Sequence, residues 1–254
     1  MKKKVHYTYN YLLSPTHPVT IALVGIGGTG SQVLTCLARV SYALQGLGHP
    51  GLHVVAYDPD EVTETNIGRQ LFSPSELGLN KAVALVTRVN RFFGTAWEAR
   101  AKLYEKKDIS ANITISCVDN TKSRLGISEA LKGERMCRDD TRPVYWIDFG
   151  NTTNTGQVVI GTIGEVTQPK AEEFSTVSKM KTITEMFDLK KVKEKDSGPS
   201  CSLAEALGKQ DLFINSTLAQ HGCALLWKMM TTGMVDNQGL YLNLETTKVN
   251  PIKL

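Results

Sequence analysis

The stretch that decides the fold is Gly25-Ile26-Gly27-Gly28-Thr29-Gly30-Ser31, which lies between the apolar run 19–24 and a segment with apolar residues at helical spacing. A second apolar run, 52–57, follows. This succession predicts a β–α–β unit with a glycine-rich first turn. The bare backbone of such a turn lets a phosphate approach amide groups at a helix N-terminus. The stretch therefore predicts a nucleotide-binding, largely parallel sheet.

The second informative stretch is Asp58-Pro59-Asp60-Glu61-Val62-Thr63-Glu64-Thr65-Asn66-Ile67-Gly68-Arg69-Gln70, which begins where the second strand ends. An acidic pair followed closely by Asn, Arg and Gln is uncommon at this position. Cationic side chains that neutralise a triphosphate have no purpose in hydride transfer. The stretch therefore favours chemistry on a triphosphate.

Length and composition set the broad class of the protein. With 254 residues, 41% hydrophobic and 21% charged, the chain is long enough to bury a sizeable core. Its net charge of +4 is spread along the chain, which argues against a nucleic-acid partner. The basic N-terminus has no apolar stretch behind it, and the apolar segment 212–230 is interrupted by polar residues. We therefore expect a soluble, cytoplasmic protein with no membrane partner.

Later strands complete the predicted sheet. The runs 113–118 and 144–148 read as strands, and the helical patterns at 31–40 and 81–93 place helices beside them. The run 157–163 follows without an intervening helix, so it is expected to pair antiparallel. The sequence predicts an α/β fold with a Rossmann-like mixed sheet, parallel in its N-terminal half and antiparallel in its C-terminal half, with helices on both faces.

Four sequence blocks together resemble the ThiF/MoeB/E1 superfamily, the ATP-dependent activators of ubiquitin and of ubiquitin-like sulfur carriers. They are the glycine loop, the block 58–70, Gly78-Leu79-Asn80-Lys81, and Cys117-Val118-Asp119-Asn120 with Arg124. The match covers residues 19–124, about half of the chain. The remainder, with the blocks 148–152 and 198–202, looks most like the ThiF-type proteins of PRTRC plasmid systems.

The resemblance implies an enzyme, an E1-like adenylyltransferase that activates the C-terminal carboxylate of a small ubiquitin-like (β-grasp) protein, with ATP and Mg²⁺, as a homodimer. It implies a single adenylation domain over residues 1–254. Residues 1–164 would form the nucleotide-binding half, and residues 165–200 a mobile surface excursion, because their composition shifts to Lys, Glu, Ser and Thr. Residues 201–254 would supply a short helix from Ser202 to Gly208, a long helix over 211–230 and a closing strand near 240–244.

The site residues implied by the resemblance fall into overlapping groups. Nucleotide contacts are assigned to Gly25, Gly27, Gly28, Gly30, Asp58, Asn66, Arg69, Gln70 and Lys81. Catalytic roles are assigned to Arg69, Lys81, Asp119 and Cys201, with Asp119 also the magnesium ligand. A carboxylate is already ionised at neutral pH, so its attack on phosphorus needs positioning and positive charge rather than a general base.

Several of these positions also have a purely structural interpretation. Asp58 suits the ribose hydroxyls or a turn cap, and Asp60 either assists it or braces the loop. Asp119 is either a magnesium ligand or an ordinary acidic residue at a strand end. Asn120 and Arg124 either brace their loop or touch nucleotide.

Cys201 is the candidate for a second step, in which the activated chain moves to a thiol. It precedes a helix start predicted at Ser202, where the helix dipole favours a thiolate. It serves equally well as a small apolar packing residue, and Cys137 is then the alternative nucleophile. The chain departs from many relatives in lacking an arginine-rich N-terminal segment and paired C-x-x-C zinc motifs.

Two other functions are compatible with parts of the pattern. An NAD-dependent oxidoreductase needs only the glycine loop and Asp58, and leaves Arg69, Lys81 and Asp119 without a joint purpose. A catalytically silent scaffold that binds nucleotide and a ubiquitin-like partner would explain the missing N-terminal arginines.

Overall fold

Two apolar runs of the sequence, 19–24 and 52–57, form adjacent parallel strands in a computed structural model of the protein. The structure describes residues 2–108, 110–132, 139, 141–191, 205, 208 and 210–254. The described helices are α1 (Gly28–Gly46), α2 (Lys81–Phe93), α3 (Thr121–Leu131), α4 (Ile183–Met186) and α5 (Ile214–Thr232). The described strands are β1 (Lys3–Tyr7), β2 (Val19–Val24), β3 (Leu52–Tyr57), β4 (Glu98–Arg100), β5 (Ile113–Ser116), β6 (Tyr145–Asn151), β7 (Thr155–Thr162), β8 (Phe174–Thr176), β9 (Met234–Val235), β10 (Asn237–Asn243) and β11 (Lys248–Lys253).

The main sheet has eight strands in the order β11-β10-β7-β6-β5-β2-β3-β4. Neighbours from β4 to β6 run parallel, and neighbours from β6 to β11 run antiparallel. The change of direction comes where β7 follows β6 with only a short turn, which cannot carry a parallel crossover. The predicted mixed Rossmann-like sheet is confirmed.

Helices cover both faces of the sheet, as the sequence predicts. The larger apolar core joins Ile21 of β2 with side chains of α1, α2 and α5, while Val24 of the same strand packs toward Ile127 of α3 and Ile183 of α4. Alternate residues of a strand point to opposite faces, so one strand feeds both cores. Among the described residues, no helix is long and apolar enough to cross a membrane.

Local signals set the ends of the helix that carries Lys81. Asn80 caps α2 by accepting a hydrogen bond from the Val83 amide at 3.1 Å, and Gly94 ends it in the left-handed conformation at φ 70°. Its buried side includes Val86 and Val89, three residues apart on one face of the helix, whereas Val83 is 43% exposed. The N-terminus of this helix is thereby fixed beside the end of β3.

A second, three-stranded sheet, in the order β8-β1-β9, holds the N-terminal segment. Within it His6 is fully buried, and its ring nitrogens contact the Val177 carbonyl oxygen at 2.7 Å and the Tyr145 hydroxyl at 2.8 Å. Tyr145 starts β6, at the opposite end of the sheet from the glycine loop. The basic N-terminus of this chain therefore lies far from its own glycine loop, and Lys3 pairs with Asp236 at 2.7 Å.

The segment predicted to be a surface excursion is only partly on the surface. Within its described part, 165–191, β8 pairs with β1, and Met180 and Ile183 are 1% and 2% exposed. Gly161 makes room for this packing, because a Cβ atom there would lie 2.4 Å from Thr182 Cα. A few apolar residues thus anchor this polar segment to the protein. Residues 192–200 and the expected short helix 202–208, apart from 205 and 208, lie outside the described residues.

Candidate nucleotide site

The predicted site residues that the structure describes gather at one edge of the sheet, where β2, β3 and β5 end. The Gly25 amide donates to the Tyr57 carbonyl at 2.9 Å, and the Cys117 amide donates to the Val24 carbonyl at 2.8 Å. These bonds hold the three strand ends together. In open α/β sheets this carboxyl edge is where ligands bind.

Close packing explains two of the loop glycines. Gly25 has a φ of +87°, and a Cβ atom there would lie 2.9 Å from the Cys117 carbonyl oxygen. A Cβ atom at Gly30 would lie 1.8 Å from the Gly25 carbonyl oxygen. Neither position accepts a side chain, so both glycines are required by the turn itself.

The other two loop glycines differ from each other. A Cβ atom at Gly28 would lie 2.7 Å from the side-chain nitrogen Nδ2 of Asn215, so the absence of a side chain at Gly28 leaves room for that of Asn215. At Gly27 nothing lies within 4 Å of the same position among the described residues. Gly27 is therefore the loop glycine with open space before it, at the N-terminus of α1, where backbone amides favour an anion.

Asp58 braces the glycine loop from the end of β3. Its Oδ2 accepts a hydrogen bond from the Ile26 amide at 2.5 Å, and its Oδ1 accepts one from the Asp60 amide at 2.8 Å. Burial raises the pKa of this carboxyl, and the two backbone hydrogen bonds and the charge of Lys81 act in the opposite direction. The turn-cap role is thus visible in the structure, and the ribose role stays a prediction.

Lys81 lies at the first turn of α2, and its ammonium contacts Asp60 Oδ2 at 3.0 Å. The Lys81 side chain is 10% exposed, whereas that of Asp60 is 65% exposed. Asn80 closes the loop by donating to the backbone oxygens of Asp58 at 2.8 Å and Asp60 at 3.0 Å. Asp60 therefore braces the loop and holds Lys81 at the carboxyl edge.

Asn66 and Gln70 are both buried in the turn that follows β3. Asn66 Oδ1 accepts from the Thr63 amide at 2.9 Å, which commits that oxygen to the turn. The backbone amide of Gln70 donates to the backbone carbonyl of Asn66 at 2.9 Å. The side-chain oxygen of Gln70, Oε1, has no hydrogen-bond partner among the described residues. Asn66 thus shapes the turn, while Gln70 retains an unused polar atom.

Arg69 is connected to the glycine loop by hydrogen bonds that run through two amide side chains, those of Gln210 and Asn215. Its Nη1 donates to Gln210 Oε1 at 2.8 Å, and its Nε has no partner among the described residues. Asn215 donates to the same Gln210 oxygen at 2.9 Å and accepts from the Thr29 hydroxyl at 2.8 Å. Burial lowers the pKa of the Arg69 guanidinium, which remains a cation at neutral pH.

Asp119 follows β5 and is exposed at the carboxyl edge. Its Oδ1 accepts from the Asn120 amide group at 2.9 Å, and Asn120 in turn caps α3 by accepting from the Ser123 amide at 2.7 Å. Asn120 therefore braces its loop. Across the described residues no three His, Cys, Asp or Glu side chains gather as a metal cluster.

Arg124 is committed to the fold. Its Nε donates to both oxygens of Asp148 at 3.0 and 3.1 Å, and its Nη2 donates to the Phe149 carbonyl at 3.1 Å. Asp148 is 1% exposed and also accepts from Ser116 Oγ at 2.5 Å. Burial raises the pKa of Asp148, and Arg124 acts in the opposite direction. Of the two roles left open for Arg124, the structure shows bracing.

Three of the five cysteines lie within the described residues. Cys36 and Cys223 are each 5% exposed and share a hydrogen bond between α1 and α5. Burial raises the pKa of Cys117 well above its ordinary value. None of these thiols suits a nucleophile that must meet a large substrate. Cys137 and Cys201 lie outside the described residues.

Sequence reasoning missed Gln210 and Asn215 as members of the site. Asn215 stood out only as a polar interruption of an apolar helix, and it is 2% exposed in the structure. A polar residue in the apolar stripe at a helix start is the signal that points to a buried hydrogen-bonded role. Gln210 carries no comparable signal in the sequence.

A model of the family described as ThiF matches residues 16–252, nearly the whole chain. The chain belongs to the ThiF family. Among curated relatives, this ThiF-family chain is 27% identical over 156 residues to ubiquitin-like modifier-activating enzyme 5 of Drosophila ananassae, covering 53% of the chain and 34% of the relative. The enzyme of the same name from Oryza sativa subsp. japonica is 28% identical over 130 residues, covering 44% and 29%. The chain thus spans about a third of the length of these relatives.

Solved structures share the fold of this ThiF-family chain at low identity. Escherichia coli MccB has a TM-score of 0.60 and 15% identity, covering 95% of this chain and 63% of MccB. PaaA has a TM-score of 0.59 and 16% identity, covering 96% of this chain and 66% of PaaA. MccB has also been solved with ATP, at a TM-score of 0.55 and 16% identity, covering 92% of this chain and 63% of MccB.

Proposed function

We propose that this chain catalyses ATP-dependent adenylation of the C-terminal carboxylate of a small ubiquitin-like protein. One observation carries the proposal: the glycine loop, with open space before Gly27, lies at the same sheet edge as the cations Arg69 and Lys81. An NAD-dependent oxidoreductase needs only the glycine loop and Asp58, and leaves these cations without a joint purpose. The relatives support the same class, because two are named ubiquitin-like modifier-activating enzymes and MccB has been solved with ATP and with MccA.

The proposed reaction balances without a general base. A carboxylate oxygen attacks the α-phosphorus of ATP, an oxygen–phosphorus bond forms, and the bond to the α–β bridging oxygen breaks. Pyrophosphate leaves with the electron pair. Since the attacking carboxylate is ionised at neutral pH, the protein supplies positioning and positive charge. Arg69 and Lys81 bind the phosphates and stabilise the charge that develops on pyrophosphate.

Asp119 is the residue that would hold magnesium. Its exposed carboxylate at the end of β5 uses one oxygen to accept from Asn120, and a single protein carboxylate suits Mg²⁺ that is also bound by phosphate oxygens. When bound, the ion supplies positive charge beside the phosphates. Asp58 is proposed to bind the ribose hydroxyls through the same carboxylate that braces the loop.

The direct test is pyrophosphate exchange into ATP, measured with purified chain, magnesium and a β-grasp protein encoded beside it. We expect exchange that depends on the β-grasp protein and falls about 10²-fold or more in Arg69→Ala, the typical effect of removing one stabilising charge. Arg91→Ala, at an exposed arginine in the last turn of α2, is the matched control and should retain full activity. Absence of exchange with every such protein would refute the assignment.

Calorimetry distinguishes the competing functions. Binding of MgATP without binding of NAD supports adenylation, and tight binding of NAD without ATP supports an oxidoreductase. Binding of MgATP and of the β-grasp partner without exchange supports the silent scaffold. Exchange with a short peptide and not with a folded β-grasp protein moves the substrate class to peptides.

We further propose that Cys201 takes over the activated chain as a thioester. Its thiolate attacks the carbonyl carbon of the acyl adenylate, a carbon–sulfur bond forms, and the bond to the phosphate oxygen breaks to release AMP. A thiol-sensitive adduct on a denaturing gel is the expected product. Cys201→Ser should replace it with an adduct resistant to thiols, whereas Cys137→Ser should leave it unchanged; the reverse pattern would assign the step to Cys137.

Two copies are proposed to associate as a homodimer, as the resemblance implies. Sedimentation at micromolar concentration should give about twice the 27.9 kDa chain mass. A monomer at all concentrations that support exchange would contradict this part of the proposal.

A further inference from the structure

A buried asparagine connects the glycine loop to Arg69. Asn215 is 2% exposed at the start of α5, and its Oδ1 accepts from Thr29 Oγ1 at 2.8 Å and from Asn151 Nδ2 at 3.3 Å. Its Nδ2 donates to Gln210 Oε1 at 2.9 Å. Both ends of the Asn215 amide are thus engaged, which fixes its orientation.

Gln210 receives a second hydrogen bond on the same oxygen, from Arg69 Nη1 at 2.8 Å. Its place in the chain is anchored, because the next amide, that of Asp211, donates to the Thr153 carbonyl at 2.7 Å. The Gln210 oxygen therefore has a fixed position and two donors, one from Asn215 and one from Arg69. A guanidinium held at one nitrogen by a fixed acceptor loses much of its rotational freedom before any ligand arrives.

The neutrality of this acceptor matters. A carboxylate at the same place would hold Arg69 as firmly and would also neutralise it, so an incoming phosphate would compete with a salt bridge. An amide oxygen fixes the guanidinium without neutralising its positive charge. Arg69 Nε has no partner among the described residues, so donor capacity also remains.

We propose that Gln210, braced by Asn215, is a positioning residue that holds Arg69 ready for the phosphates of ATP without neutralising it. The inference rests on the proposed function, which assigns Arg69 to the triphosphate. The connection to Thr29 on α1 sets Arg69 in register with the glycine loop. Two residues that the sequence analysis does not assign to the site thereby become determinants of nucleotide affinity.

Two substitutions separate positioning from a structural role. Gln210→Met keeps the side-chain length and removes the acceptor, whereas Gln210→Glu keeps the acceptor and adds a charge. Gln45→Glu is the matched control, because it adds the same charge at an exposed position near the far end of α1. A 19-residue helix is roughly 28 Å long, which is well beyond the screening length at physiological salt.

MgATP affinity by calorimetry and thermal unfolding without ligand are measured on all variants. We expect Gln210→Glu to unfold at or above the wild-type Tm, because it forms an ion pair with Arg69, and yet to bind MgATP about tenfold or more weakly. Gln210→Met should bind several-fold more weakly, and Gln45→Glu like the wild type. A purely structural role predicts unchanged MgATP affinity in Gln210→Glu, and that result would overturn the inference.

A ligand-free measurement keeps the inference separate from the proposed function. The Arg69 side-chain Nε–H resonance, assigned with Arg69→Lys, should be sharp in the wild type and broadened in Gln210→Met. An unchanged resonance in Gln210→Met would show that Gln210 does not position Arg69, whatever the protein binds. Failure of the wild type to bind MgATP would instead refute the proposed function, and the resonance would still decide whether Gln210 holds Arg69.

Discussion

Replacing Arg124 with alanine tests the conclusion that this residue belongs to the fold rather than to the nucleotide. The change removes two hydrogen bonds to Asp148 and one to the Phe149 carbonyl, and leaves Asp148, 1% exposed, with Ser116 as its remaining side-chain donor. Removing one partner of a buried ion pair costs about 3–5 kcal/mol. We therefore expect the free energy of unfolding at pH 7 to fall by that amount.

The loss should depend on pH in a defined direction. Without Arg124, the pKa of Asp148, already raised by burial, rises further, so the folded state binds a proton that the unfolded chain releases above its ordinary pKa of 3.8. The deficit relative to wild type should therefore grow as pH rises from the raised pKa of Asp148 in the wild type towards the higher pKa in the variant, by at most about 1.4 kcal/mol per pH unit. At lower pH Asp148 is protonated in both the wild type and the variant, so the deficit should shrink.

Urea unfolding of wild type and variant at pH 5, 6 and 7 measures both effects. Lys122→Ala, at an exposed position of the same helix, should change stability by less than about 0.5 kcal/mol. Asp148→Asn in the Arg124→Ala background removes the buried charge and should abolish the pH dependence of the deficit. A loss below about 1 kcal/mol, or a deficit that does not change with pH, would refute the reasoning.

Two further predictions follow from buried contacts. The Val177 carbonyl oxygen can only accept a hydrogen bond, so the neutral His6 ring carries its proton on Nδ1 and accepts from the Tyr145 hydroxyl at Nε2. Burial lowers the pKa of His6 in the folded protein. Just below pH 6.5, therefore, His6 gains a proton in the unfolded chain and not in the folded protein. The free energy of unfolding of the wild type should therefore fall as pH falls below that value, and chemical unfolding of His6→Asn should show no such contribution. Equal slopes of unfolding free energy against pH in the two proteins would contradict this prediction. Gly30→Ala should destabilise the protein by at least about 3 kcal/mol, because its Cβ would lie 1.8 Å from the Gly25 carbonyl oxygen. Gly27→Ala should fold normally and bind MgATP more weakly, because the space before Gly27 is open. Similar Tm values for the two glycine variants would contradict this prediction.

The elements that the sequence predicts correctly are those with local periodicity or local caps. The strands β2 and β3 and the helix α2 coincide with the predicted ranges because their apolar residues repeat and α2 has a cap at each end. The strand β1, KKVHY, was missed because only two of its five residues are buried and distant residues hold it in place, as in the His6 hydrogen bond to Tyr145. The strand β11 contains Pro251 and lies at the sheet edge, where proline is tolerated.

The candidate site shows the same division. The glycine loop, Asp58 and Lys81 were predictable because a strand end or a helix start places each of them locally. The partners of Arg69 and Arg124 were not, since Gln210 and Asp148 lie 141 and 24 residues away along the chain. Side-chain pairing across such distances follows from the packing of several elements, and no spacing in one sequence reports it.

The partners of three cations near the carboxyl edge decide which charges an anionic ligand can use. Arg124 is neutralised by Asp148 inside the protein, so its charge is spent on the fold. Lys81 shares its charge with Asp60, whose carboxylate is 65% exposed; such a pair is weakened by solvent, and Lys81 can be redirected at small cost. Arg69 is held by an amide oxygen and keeps its full charge. A triphosphate bound at the glycine loop, as proposed, would therefore gain most from Arg69, less from Lys81 and nothing directly from Arg124, although all three are cationic side chains in the sequence.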